Sequence, residues 1–331
     1  MLISDKSKKI LSVLADGEFH SGSALSDDLG VSRSAVWKYL KSLSALGLEH
    51  KAVSGRGYRL ERPLELLNRD KIEPFLAPEA RAALSSLEIH DQLESTNSYL
   101  IERAKFEAKS GSVCLAEFQS SGRGRRGRFW VSPFGSNIYL SILWRFQNGP
   151  AALSGLSLAA GVAVVRALRQ QTVTGIGLKW PNDIYWQGQK LGGILVEVSG
   201  EANGPCTAVI GLGLNLFLPE QQAASITQAW TDLSKVTGHS RVPRNQLVST
   251  LLNHLLPMLA DFETTGLTAY IDEWRSYDCL RDQAVRLFMF DHQIEGIAQG
   301  IDDNGFFVLK TTDEEIRVFA SGEVSFNHPV L

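Results

Sequence analysis

The stretch Gly122-Arg123-Gly124-Arg125-Arg126-Gly127-Arg128 places three glycines and four arginines within seven residues. Glycine lets backbone amides approach a ligand closely and tolerates positive φ. Arginine offers a planar fork of donors that matches phosphate and carboxylate. Such a loop suits a polyanion; taken alone, the segment also reads as a solvated basic turn. It lacks the G-x-x-x-x-G-K-[ST] pattern, and it does not open a helix as G-x-G-x-x-G does, because Phe129-Trp130-Val131 and Pro133 follow at once. The apolar run 113–118 leads in and reads as a buried strand. Gln119 then marks the strand–loop junction, where rigid scaffolds carry binding groups.

Working outward, 331 residues allow two or three domains, and 44% hydrophobic with 21% charged residues is ordinary for a soluble globular protein. No run of about 18 apolar residues stands out as a membrane span, and the N-terminus lacks a secretory apolar region. Cys114, Cys206 and Cys279 are odd in number and far apart, which fits free buried thiols and a cytoplasmic location. Residues 1–62 carry ten Lys/Arg against seven Asp/Glu, a net of +3, which leaves −6 for the remainder of a chain whose total is −3. A basic domain on an acidic body points to a nucleic-acid contact at one end.

That basic segment patterns as three helices. Ile10, Leu11 and Leu14 share a face of the first; Leu25 and Leu29 follow after Ser21 or Ser23; Gly30-Val31 turns the chain; and Ser32 caps a third helix carrying Val36, Leu40 and Leu43. Ser32, Arg33, Ser34, Trp37 and Lys38 lie at the cap and on the opposite face, where a helix-turn-helix presents groups to a DNA groove. Residues 48–60 read as a hairpin with Arg56 at a basic tip, the wing of a winged helix. A small three-helix interaction domain is the alternative. Pro63, Pro74 and Pro78 break up the connector and put the boundary near residues 63–68.

Ser95-Thr96-Asn97 is a hydroxyl-rich turn ahead of a helix over 98–108, and on spacing alone it is an N-cap. Residues 137–144 read as a strand, and 153–170 as a long apolar helix that belongs in a core. Lys179-Trp180-Pro181-Asn182-Asp183 is a polar turn in which Asp183 could bind a Mg²⁺ that accompanies a nucleotide. Lys190 precedes Gly192-Gly193, and the strand 209–214 ends at Asn215. Residues 221–236 are weakly helical, 245–262 firmly so with a kink expected at Pro257, and 267–274 form a last helix. From Ala284 on, five short strands (285–290, 294–300, 306–310, 316–319 and 323–326) separated by glycines predict a small barrel of SH3-like size.

These motifs together resemble the family of bifunctional biotin–protein ligases that also repress the biotin operon. The likeness spans nearly the whole chain. It rests on Ser95-Thr96-Asn97, Gln119 with Gly122-Arg123-Gly124-Arg125-Arg126-Gly127, Lys179-Trp180-Pro181-Asn182-Asp183, Lys190-Leu191-Gly192-Gly193-Ile194, Gly211-Leu212-Gly213-Leu214-Asn215 and Gly322-Glu323-Val324-Ser325. The resemblance implies an α+β multidomain architecture: a winged helix-turn-helix over residues 1–63, a mixed α/β catalytic core of class II synthetase type over 68–275, and an SH3-like β-barrel over 280–331. It implies ligation of biotin through biotinyl-5′-AMP, made from biotin and ATP with Mg²⁺, onto a lysine of the biotin carboxyl carrier protein of acetyl-CoA carboxylase. It further implies repression through operator DNA, with a homodimer when the adenylate is bound, and no membrane partner.

By matched position, the resemblance assigns biotin to Ser95, Thr96, Asn97, Gln119, Arg123, Gly124, Arg125 and Lys190. It assigns the nucleotide to Arg125, Arg128, Trp130, Asn182 and Asn215, catalysis to Arg125, Lys190 and Asp183, and Mg²⁺ to Asp183. Trp230 is a further candidate to cover the adenine. The family often continues its C-terminal Gly-Glu-[Ile/Val]-Ser with an apolar residue and Arg, where this chain has Phe326-Asn327. Two other readings remain open at this point: a ligand-responsive transcription factor without turnover, and a lipoate or other acyl ligase.

Overall fold

A computed structural model describes residues 4–106, 108–239, 242–289 and 292–326. At the N-terminus, three helices each begin at a serine whose hydroxyl accepts a backbone N–H: α1 (Asp5–Leu14) at Ser4, α2 (Gly22–Leu29) at Ser21 and α3 (Arg33–Ser44) at Ser32. Gly30, at φ 60°, ends α2 in the left-handed conformation. Ile10, Leu11, Leu14, Leu25, Val36, Leu40 and Leu43 are buried together, as the helical periodicity predicts. Strands β1 (His50–Val53) and β2 (Gly57–Leu60) pair antiparallel into the wing.

The central sheet has seven strands: β3 (Ser86–His90), β4 (Ser112–Ala116), β5 (Ile138–Phe146), β6 (Ile176–Lys179), β7 (Asp183–Trp186), β8 (Gln189–Gly200) and β9 (Cys206–Leu214). Their order is β3-β4-β5-β9-β8-β7-β6, with only β3 and β4 parallel. Four main helices accompany it: α4 (Thr96–Ala104), α5 (Leu156–Gln170), α6 (Arg244–Thr265) and α7 (Ile271–Tyr277). The segment Pro150–Gln170 is long and apolar enough to cross a membrane, but 67% of its apolar 18-residue window is buried inside this protein. It is the central helix of the core.

The last five strands are β10 (Ala284–Phe288), β11 (Gln293–Ile301), β12 (Phe307–Thr311), β13 (Ile316–Phe319) and β14 (Glu323–Phe326), in the order β13-β12-β11-β10-β14. The fifth strand returns to pair with the first, the SH3-like arrangement. This sheet is tied to the core where the Trp180 indole donates to Gly305 O at 3.0 Å and stacks on Phe307 at 5.3 Å. Phe290, the end of one anticipated strand, and Asn327 lie outside the described residues.

Three helices differ from expectation. The helix predicted over 98–108 starts at Thr96 with Ser95 as its N-cap and stops at Ala104. Residues 221–236 are not one helix but two short ones, Glu220–Ala223 and Leu233–Thr237. The backbone between them is taken up by β8, since Lys190 N donates to Ala229 O and Thr231 N to Lys190 O. The last helix splits into a 3₁₀ turn, Leu267–Ala269, and α7. By contrast α6 continues through Pro257.

The winged helix is not tethered by a free linker. Its buried cluster includes Phe134 of the core, and Gln222 Nε2 donates to Gly47 O at 3.3 Å. The connector is pinned by a buried ion pair. Arg244 Nη1 lies 2.7 Å from Glu117 Oε2 and donates to Glu65 O at 2.7 Å; Nη2 donates to Asn137 O at 2.9 Å; and Glu117 Oε1 accepts Leu67 N at 2.5 Å. Removing one member of such a pair leaves a buried charge uncompensated. Arg244→Met should therefore cost about 3–5 kcal/mol in denaturant unfolding, the range for broken buried pairs. A loss below about 1 kcal/mol, the scale of an exposed ion pair, would mean that the pair does not pin the connector.

Candidate active site

The arginine loop bridges β4 and β5 across the open side of the sheet. It is held as a narrow turn: Trp130 N donates to Gly122 O at 2.8 Å and Gly124 N to Arg128 O at 2.7 Å. Arg126 occupies the left-handed region at φ 55° and Gly127 at φ 72°. Glycine at 127 is what makes two such residues in succession affordable. Beneath the loop lies a cleft with two lobes that share Arg128, Phe129, Trp130, Lys179, Lys190 and Glu323 as walls.

The inner lobe has a buried, neutral polar floor. Thr96 N and Oγ1 both donate to Gln119 Oε1, at 2.9 and 3.2 Å, and Gln119 Nε2 donates to Ser132 Oγ at 3.1 Å. The Ser141 hydroxyl lies 2.7 Å from Thr96 Oγ1 and 2.6 Å from Asn97 Oδ1. Ser95 therefore caps α4 while Thr96 and Asn97 face the cleft, so capping and lining coexist in one tripeptide. Two glycines on β9 make room: a Cβ at Gly211 would lie 2.2 Å from Asn97 Oδ1, and one at Gly213 would lie 2.5 Å from Trp130 Cε2.

The junction of the lobes is cationic. Asp183 stands between two ammonium groups, Lys190 Nζ at 2.7 Å from Oδ1 and Lys179 Nζ at 3.3 Å from Oδ2. Burial alone would raise the Asp183 carboxyl, but Lys190 and Lys179 outweigh it and hold the group below its ordinary value. Lys190 Nζ also sits 5.7 Å from the centre of the Trp130 ring. Arg125 Nη1 donates to Asn182 Oδ1 at 3.2 Å, and Asn182 Nδ2 to Ile194 O at 2.7 Å. Burial, then the adjacent Arg126, lowers the Arg125 guanidinium, which remains a cation aimed into the cleft.

The anticipated residues are thus brought together. Ser95, Thr96, Asn97, Gln119, Arg123, Gly124, Arg125, Arg128, Trp130, Asn182, Asp183 and Lys190 line the inner lobe; Asn215 and Trp230 line the outer one. Trp230 lies under Lys235 Nζ at 4.1 Å, and Asn215 Nδ2 donates to Thr231 O, holding the 225–231 loop against the sheet. Trp130 Nε1 is buried and has no acceptor among the described residues. Mg²⁺ on Asp183 does not fit the donor set. Both carboxylate oxygens already face ammonium groups, and among the described residues no group of three His, Cys, Asp or Glu could hold a metal. Asp183 instead stands between the two lysines. Ser32, Arg33, Ser34, Trp37, Lys38 and Arg56 are all exposed on the winged helix, apart from the cleft. Arg56 folds back over the Phe19 ring at 4.1 Å. Sequence reasoning passed over Ser132, Ser141 and Glu197; an acid within Leu195-Val196-Glu197-Val198 is the one visible signal.

This geometry has close counterparts. Residues 6–59 match the HTH domain family, 89–215 the biotin/lipoate A/B protein ligase family, and 282–327 the biotin protein ligase C-terminal domain. The chain is 40% identical over 317 residues to the bifunctional ligase/repressor BirA of Escherichia coli, covering 96% of each chain. It is 32% identical to that of Bacillus subtilis, covering 93% of this chain and 94% of the relative. The chain belongs to the bifunctional biotin–protein ligase/repressor family. The biotin protein ligase of Aquifex aeolicus in complex with biotin and ATP superimposes with a TM-score of 0.62 at 26% identity, covering 74% of this chain and all of that one. The 74% covered is less than the whole, whereas the BirA relatives align over nearly the full length.

Within this family site, Asp183 has a testable structural duty. Asp183→Asn should cost about 3–5 kcal/mol, because the buried Lys179 ammonium and the partly exposed Lys190 lose their common partner. Adding Lys179→Met to Asp183→Asn should recover part of that loss in the same denaturant titration. A single variant as stable as wild type would contradict the assignment.

Proposed function

We propose that the two lobes bind biotin and ATP end to end, so that their reacting groups meet at Lys190. The protein is an ATP-dependent biotin–protein ligase with a DNA-binding repressor domain. The observation that carries the arrangement is the change in chemistry along one cleft. A neutral donor–acceptor floor gives way to a cationic junction and then to an aromatic-edged lobe. Biotin's ureido ring has two N–H donors and one carbonyl acceptor; the Thr96, Asn97, Gln119 and Ser95 side chains supply complementary groups. Trp130 and Trp230 border the lobe that would take the adenine.

In the first step the biotin carboxylate attacks the α-phosphate of ATP in line. A carboxylate oxygen–phosphorus bond forms, the bond to the bridging oxygen breaks, and pyrophosphate leaves. The protein contributes position and charge, with no protein nucleophile needed. Lys190 and Arg125 neutralise charge that accumulates as the two anions meet, and Asp183 fixes Lys190. In the second step a lysine amine of the carrier protein attacks the acyl carbon, an amide forms, and AMP leaves. Because the donor set does not fit a protein-held Mg²⁺, any Mg²⁺ would arrive with the nucleotide's own phosphates. The carrier protein of acetyl-CoA carboxylase is the proposed acceptor.

The second activity rests on the exposed face of α3. Arg33, Ser34, Trp37 and Lys38 would enter a major groove, with Arg56 of the wing at the backbone or minor groove. One winged helix makes few contacts, so operator binding calls for a two-fold dimer on an inverted repeat. Closure of the arginine loop on biotinyl-5′-AMP would complete the dimer surface and link ligand to DNA.

Incubation with biotin, ATP and a carrier domain should transfer biotin to the carrier lysine, whereas lipoate should neither react nor compete. Pyrophosphate release with lipoate in place of biotin would favour the other acyl-ligase reading. Lys190→Ala should slow adenylate formation about 10²-fold or more, the effect of losing one preorganised electrostatic donor; an unchanged single-turnover rate would remove Lys190 from the reaction. Arg33→Ala and Lys38→Ala should each weaken operator binding and lower its salt dependence by about one counterion. Adenylate synthesis should stay at the wild-type rate in both, and slower synthesis would mean that the two functions are not separate.

A further inference from the structure

Glu197 lies on β8 at the mouth of the inner lobe, with its side chain 23% exposed. Each of its oxygens faces a different part of the site. Oε2 accepts Asn97 Nδ2 at 2.9 Å, and Oε1 accepts Arg123 Nη2 at 2.6 Å. Asn97 belongs to the floor of the lobe and Arg123 to the loop above it. One carboxylate therefore ties roof to floor, and it comes from a third element, β8.

The consequences for Asn97 follow from donor counting. Its Nδ2 has two N–H groups, one used on Leu195 O at 3.2 Å and the other on Glu197. A carbonyl and a carboxylate can only accept, so the amide nitrogen must face them and Oδ1 must face Ser141 and the lobe. Glu197 thereby fixes which way the amide presents its acceptor. The consequence for Arg123 is similar. Its second nitrogen donates to Ser98 Oγ at 3.1 Å, so the guanidinium fork spans Glu197 and the start of α4. Both forks of the arginine are engaged with the rim of the lobe.

We propose that Glu197 is a positioning residue for biotin: it orients the Asn97 amide toward the ligand and seats the arginine loop over it through Arg123. A carboxylate is required because both partners are donors. A glutamine at this position can accept from one of them only by turning its own N–H₂ toward the other, which sets donor against donor. The effect should fall on biotin and on retention of the adenylate, not on ATP, because Glu197 touches neither the lysine pair nor the outer lobe.

This inference rests on the placement of biotin in the inner lobe proposed above. The test measures adenylate formation by full-length Glu197→Gln with biotin and ATP varied separately. Biotin KM should rise about tenfold or more, the effect of losing one charge-assisted hydrogen bond. ATP KM should stay within about twofold, since uniform binding of that substrate is untouched. Bound adenylate should dissociate faster. Glu197→Asp, which keeps two acceptor oxygens on a shorter stem, should recover part of the biotin KM. In a cycle with Arg123→Ala, the double variant should be less impaired than the two singles added together. A lowered melting temperature with an unchanged ratio of biotin KM to ATP KM would overturn the proposal, as would additive effects in the cycle. Those results in an active wild-type background would leave the site reading standing; a wild type that makes no adenylate would overturn both.

Discussion

Asp183 holds two lysines from neighbouring strands within one buried site, and the rest of the cleft is arranged around that triad. Lys179 closes β6, Asp183 opens β7 and Lys190 stands near the start of β8, so the register of three strands converges on one carboxylate. Without it, two ammonium groups would be buried together in a low-dielectric environment at high cost. With it, the triad retains one positive charge at the junction of the two lobes. The arginine loop adds further cations above that junction.

The same division between fixed and adaptable parts runs through the whole molecule. The first turn of α4 and the segment that follows β4 carry the polar floor, and the side chains there are locked by one another: Gln119 by Thr96 and Ser132, Asn97 by Leu195 O and Glu197. The roof is a loop whose cations are parked on nearby groups, Arg123 on Glu197, Arg125 on Asn182 and Arg128 on Glu323. Glu323 belongs to the C-terminal sheet, so that domain also bears on the loop. Binding an anionic ligand would exchange the Arg125 and Arg128 contacts for new ones, while Arg123 stays on Glu197. The winged helix rests on the same body through Phe134 and Gln222, and the connector that follows it is pinned by the Glu117–Arg244 pair.

Much of this was legible in the sequence, and the exceptions have physical causes. The winged helix announced itself through capping serines, Gly30 and a periodic apolar face, each of which acts locally. The arginine loop and the Lys-Trp-Pro-Asn-Asp run could be read because their residue types have few other uses in such density. Glu197 and Ser141 were missed because a strand position reveals a polar residue but not its partner, which lies nearly a hundred residues away for Asn97 and Glu197. Arg244 carries no signal in the sequence; only tertiary packing makes it a buried cation. Residues 221–236 misled because their backbone is recruited by β8, an interaction that local propensity cannot register. The meeting of Asp183 with both lysines was not legible either, because Lys179 and Lys190 reach its two oxygens only once three strands pair.

The central claim is that a single cleft joins biotin to ATP without help from a protein nucleophile, and it is tested by one measurement. The protein is mixed with biotin and ATP in the absence of any carrier, and the protein-bound product and released pyrophosphate are quantified over a single turnover. The account predicts one equivalent of non-covalently bound biotinyl-5′-AMP and one of pyrophosphate for each chain, with the adenylate recovered intact after denaturation. Biotin found covalently attached to the chain's own side chains before any adenylate forms, or pyrophosphate released without bound adenylate, would contradict it.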